Sequence, residues 1–163
     1  MTNKQEWRET SLKGRMAESL VLDLLKEAGN EVYRIGYEAI LPGLTRIEES
    51  FRRNSDVGEK IRSIPDFFVI DKSGNPHLVE VKFRWDAKWF GGDDKRLRLF
   101  KKNWEGAIII VVSCFQKPYF RFCKYPFEIL KPVQKFESLG VTQELLARFD
   151  VLVEKYFTPT LNK

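Results

Sequence analysis

The chain has 163 residues, 43% hydrophobic and 31% charged, enough for one domain with a packed core. Its 13 Phe, 5 Tyr and 4 Trp exclude a disordered chain, and the longest apolar run, Ala107 to Val112, falls far short of a bilayer span of roughly 20 residues. With 28 basic against 23 acidic residues, the net charge of +5 permits an anionic partner without demanding one.

The polar start, Met1 to Arg8, leads to no apolar segment with a small-residue cleavage site, so the expected compartment is the cytoplasm. Residues 11–28 carry Leu12, Met16, Leu20, Val21, Leu24, Leu25 and Ala28 at helical spacing, and Gly29-Asn30 supplies a stop. Glu31 to Tyr37 reads as a strand. Residues 41–63 show no clear period and read as a long loop or insertion with at most a helical turn. Ile64–Asp71 and His77–Phe83 form a hairpin across the Lys72–Pro76 turn. Asp94 can cap a helix from Lys95 to Trp104. Ala107–Ser113 is a β-branched run that suits a strand covered on both faces. Tyr119–Lys124 reads as a further strand and Thr142–Tyr156 as a closing helix. Cys114 and Cys123 lack metal-ligand spacing; they read as free thiols that could face each other across a hairpin. The order predicts one α/β domain, a mixed sheet with helices.

The hairpin holds the informative residues. Alternation puts Asp66, Phe68 and Ile70 on one face, and Leu78, Glu80 and Lys82 on one face of the next strand. Folding about the turn brings Asp66 opposite residues 80–82, so two carboxylates sit beside one ammonium. One lysine cannot neutralise two acids within apolar strands, whereas a hard divalent cation such as Mg²⁺ can. Glu18 lies on the apolar stripe of the first helix, placed to complete or orient such a site. Gly14, one turn earlier, would let a backbone or ligand approach closely. Each residue also has a bland reading: Asp66 as a strand-start residue after Pro65, Glu80 and Lys82 as an exposed strand face, Glu18 as a solvated residue at the stripe margin. His77 reads as a strand residue without a catalytic role.

Pro65-Asp66, thirteen intervening residues and Glu80-Val81-Lys82 together resemble the PD-(D/E)XK nuclease superfamily, the restriction-endonuclease-like fold. Gly14-Arg15-Met16-Ala17-Glu18 is similar to the extra acidic element of its Holliday-junction-resolvase-like branches. The resemblance covers residues 11–113, an αβββαβ core, and leaves the 41–63 insertion and the 115–163 strand-helix extension outside it. It implies Mg²⁺-dependent (or Mn²⁺-dependent) hydrolysis of DNA, with RNA not excluded. Asp66, Glu80 and the main-chain carbonyl of Val81 would then hold the metal, Glu18 would be a direct or water-mediated third acid, and Lys82 would orient the attacking water. From Lys82 to Trp104 the chain carries eight basic and three acidic residues, among them Arg84, Lys88, Lys95, Arg98 and Lys102, which would contact backbone phosphates. A domain this small would act on DNA structure, as a homodimer or through a partner protein. A non-catalytic nucleic-acid-binding or assembly module with the same fold is the alternative.

Overall fold

A computed structural model describes residues 2–40, 55–86, 89 and 95–157. Helix α1 (Thr2–Glu27) precedes strand β1 (Glu31–Arg34), a single-turn helix α2 (Tyr37–Ile40) and helix α3 (Asp56–Arg62). Strands β2 (Phe67–Ile70) and β3 (Pro76–Phe83), helix α4 (Lys95–Asn103) and strand β4 (Ile108–Val112) follow. Strands β5 (Phe120–Lys124) and β6 (Lys131–Pro132), two short 3-10 turns and helix α5 (Gln143–Phe157) close the described chain.

Among the described residues the strands form one six-stranded mixed sheet in the order β1-β2-β3-β4-β5-β6. Only β3 and β4 are parallel. Their connection contains α4, because parallel neighbours need a crossover rather than a tight turn. Period-two alternation divides the sheet into two packed faces. Val69, Val79, Val81, Phe83, Ile108 and Ile110 meet Val21, Leu24 and Leu25 of α1 and Leu146, Phe149 and Val153 of α5. On the other face Ile109, Val111 and Cys123 meet Leu97 and Phe100 of α4. All five residues of β4 are buried, as a strand covered on both sides requires. Each large side chain so covered contributes about 1.5–3 kcal/mol.

Helix α1 ends as its sequence indicates. Gly29 takes φ +97°, and the Asn30 amide donates to the Leu25 carbonyl at 3.1 Å. The Asn30 side chain, itself buried, donates to the carbonyls of Leu25 and Leu139, both at 2.8 Å, tying α1 to the C-terminal third of the chain. Asp71 organises the β2–β3 turn. Its Oδ1 accepts from the amides of Ser73 and Asn75, each at 2.9 Å, and its Oδ2 meets His77 Nε2 at 2.9 Å. These bonds hold the Asp71 carboxyl below the usual carboxylate range, His77 contributing most.

Several expectations change. The first strand stops at Arg34 rather than Tyr37, because the amides of Ile35 and Gly36 both turn to the Asp66 carbonyl and the chain then coils into α2. Within the expected insertion, α3 is a two-turn helix whose N-cap Ser55 accepts from the Gly58 amide at 3.1 Å; residues 41–54 lie outside the described residues. Asp94, the expected cap of α4, also lies outside them. Gly14 has nothing within 4 Å of the position its Cβ would take, so no close approach explains it. Cys114 and Cys123 are free as expected and both are buried, but they occupy opposite faces of the sheet and do not face each other.

Candidate active site

Asp66 sits one step before β2, just after buried Pro65. The pairing Phe67↔Val79 carries Asp66 on to the level of Glu80. Three backbone amides fix it: its carbonyl accepts from Ile35 at 3.0 Å and Gly36 at 3.4 Å, and its carboxylate Oδ2 accepts from Val81 at 2.7 Å. The residue therefore locks three strands together at one end of the sheet. Glu80 lies on the face that α4 covers, and its Oε1 pairs with Lys82 Nζ.

The electrostatics record a surplus of negative charge. Burial pushes the Asp66 carboxyl up to about 8, with the charges of Glu80 and then Glu18 adding to it; the Val81 amide and Lys82 offset this only in part. Glu18 is half-buried on α1, and its Oε2 meets Arg34 Nη1 of β1 at 3.3 Å. Its carboxyl is also raised, first by burial, then by Glu80 and Glu38, against the lowering effect of Arg34. Asp66, Glu80 and Glu18 thus come within electrostatic reach of one another, while the direct partner of Glu18 is Arg34. Sequence reading missed Arg34, although the alternation of buried Val32 with Arg34 could have placed it over α1.

Basic residues expected to meet phosphate fall in different settings. Arg84 follows β3, with its Nη1 donating to the Phe83 carbonyl at 2.9 Å and its guanidinium 5.3 Å from the Trp89 ring centroid. Arg98 and Lys102 are exposed on α4, opposite buried Leu97 and Phe100. Lys88 and the side chain of Lys95 lie outside the described residues. His77 is held by Asp71 and packs edge-on to Phe136 at 5.4 Å, at the far end of the hairpin from Asp66.

The donor chemistry fits a hard divalent cation in part. Glu80 pairs with the one nearby ammonium, and the Asp66 carboxyl is raised first by burial and then by the charges of Glu80 and Glu18. Among the described residues no three of His, Cys, Asp and Glu converge to hold an ion by themselves. Such an arrangement suits Mg²⁺, which commonly takes one or two carboxylates and completes its shell with water and substrate phosphate. Comparison with family models, with curated proteins and with solved structures finds no match. The described helices include none long and apolar enough to cross a membrane.

Proposed function

We propose that this chain hydrolyses phosphodiester bonds, in DNA first and RNA second, at a PD-(D/E)XK-type centre formed by Asp66, Glu80 and Lys82 with Mg²⁺ or Mn²⁺. The observation that carries this reading is the pair of acids at the start of β2 and on β3, one of them part-buried and raised to about 8, beside Lys82. Asp66, Glu80 and the Val81 carbonyl would hold the cation, with Glu18 joining directly or through water. Bound there, the ion supplies Lewis-acid polarisation of phosphate and a water of lowered pKa.

The remaining work falls to the chain itself. Lys82, two residues beyond Glu80 on the same face, donates to the attacking water and offsets charge on the phosphorus. Asp66 keeps its geometry through the Val81 amide, so its unbound oxygen is aimed without a side-chain search. Arg84, Arg98 and Lys102, with Lys88 and Lys95, neutralise backbone phosphates and position substrate without reading sequence.

The Lys82–Glu80 ion pair supports a second reading, a binding or assembly module whose acids are neutralised internally. One experiment separates the two. Asp66→Asn and Glu80→Gln, which remove charge without volume, should each abolish metal-dependent cleavage while keeping nucleic-acid binding. Full activity in either variant, or in excess EDTA, would overturn the assignment. Binding across duplex, single-strand, flap, junction and RNA substrates without new ends in Mg²⁺ or Mn²⁺ would establish the module instead.

A further inference from the structure

Arg121 on β5 belongs to the same face of the sheet as the acid pair. The pairings Lys82↔Val111 and Val111↔Arg121 place these residues in one row across β3, β4 and β5. Val111 packs toward α4, so Lys82 and Arg121 flank it on that side, two strand spacings or about 9–10 Å apart. The Arg121 guanidinium is held from behind. Its Nη1 donates to the hydroxyl of buried Ser113 at 3.1 Å, and its Nη2 reaches the Gln116 carbonyl at 3.5 Å. No acid among the described residues pairs with it, and burial alone lowers its pKa.

A part-buried guanidinium held by neutral acceptors, with N–H donors to spare, lacks the anion that would offset its desolvation. The same β4–β5 turn carries a second feature. Phe115, between Ser113 and Gln116, is a large ring that is 68% exposed. An exposed aromatic on the turn whose Gln116 carbonyl holds a guanidinium is a combination that can bind a strand through its backbone and one base face.

We propose that Arg121 and Phe115 form a nucleotide shelf beside the Asp66–Glu80–Lys82 centre, Arg121 taking a backbone phosphate and Phe115 stacking on an unpaired base. The proposal rests on the nucleic-acid reading above and narrows it to substrates with a single-stranded segment. Paired bases bury their faces within the helix stack, so a duplex can use Arg121 but not Phe115.

The test measures binding of labelled oligodeoxythymidylate and of a duplex of equal length to the full chain, across a salt series in EDTA. Arg121→Gln should weaken binding and flatten the plot of log affinity against log salt by about 0.7 on the single strand. Arg121→Lys should keep the wild-type slope. Phe115→Ala should weaken single-strand binding about fivefold or more while leaving the salt slope and duplex binding unchanged. A wild-type slope in folded Arg121→Gln, or equal effects of Phe115→Ala on both probes, would overturn the shelf. Phe115 is a surface position, so its result decides the matter even where Arg121→Gln melts early. Because no metal is present, the two readings fail separately. Shelf effects without cleavage in Mg²⁺ would leave the shelf and remove the hydrolase; cleavage dependent on Asp66 and Glu80 with unchanged shelf variants would do the reverse.

Discussion

Asp66 is held by three amides yet carries a carboxyl that the fold keeps protonated. Its pKa is raised to about 8, chiefly by desolvation and then by Glu80 and Glu18. A cation binding there must displace the proton. Titration calorimetry with Mn²⁺ in buffers of different ionisation heat should therefore show proton release near neutral pH that fades above about pH 8. No release would overturn the displacement of a proton from Asp66 by the cation. Stability follows the same shift. Between the unfolded and folded pKa values the unfolded chain gives up this proton and the native one keeps it, so stability falls as pH rises through that window. Asp66→Asn avoids the penalty. It should match wild type near pH 4 and exceed it by roughly 1–3 kcal/mol near pH 8 in urea unfolding. The neighbourhood of Asp66 and Glu80 could be read from the sequence because alternation and one turn fix a hairpin's register. The Arg34–Glu18 pair and the Ser113–Arg121 bond could not, since each joins elements whose relative placement only the folded sheet supplies.

Helix α4 separates packing from surface charge along its two sides. Leu97 and Phe100 fill the face of the sheet beneath Ile109 and Val111, while Arg98 and Lys102 are exposed. Leu97→Ala and Phe100→Ala should each cost about 2–5 kcal/mol in chemical unfolding and leave the salt dependence of binding alone. Arg98→Ala and Lys102→Ala should do the opposite, each flattening the duplex salt slope by about 0.9 if it meets a phosphate. Unchanged slopes in the double variant would mark α4 as a solvated surface. The stripe of α4 was legible because its apolar residues recur at helical spacing. Helix α3 was not: Asp56–Arg62 carries Gly58 in its first turn and only Val57 and Ile61 at helical spacing, too short a stripe to mark a helix. Strand β1 was read too long because Ile35 and Gly36 resemble strand residues, whereas their amides serve Asp66.

Across the whole molecule the α/β class, the run of alternating elements and the doubly covered β4 could all be read from composition and period. The sequential strand order and the single parallel pair depend on where α4 crosses, which period alone does not give. Closure between the ends of the chain depends on a residue that sequence reading treated only as a stop signal. Asn30 joins the end of α1 to Leu139, so Asn30→Ala removes the side-chain donor of the Leu139 carbonyl and leaves the Leu25 carbonyl only the backbone amide of residue 30. It should cost about 1–3 kcal/mol. At this chain length that lowers the melting midpoint by about 2–4 °C per kcal/mol. An unchanged midpoint would show that the C-terminal third is held by α5 packing alone.

The β2–β3 hairpin also acts as a balance with unlike weights at its two ends. Asp71, at the turn, is stabilised as an anion by His77, Asn75 and Ser73, so its contribution is present above the ordinary aspartate pKa and is lost as acid protonates it. Asp66, at the open end, is penalised as an anion, and its contribution fades in the opposite direction. The hairpin on its own is therefore best poised in mild acid, near the point where an unfolded aspartate titrates. Any counter-charge seated against Asp66 removes only the second weight. The optimum then moves toward neutrality, so a cation would act as ballast for the fold as well as a reagent for the chemistry.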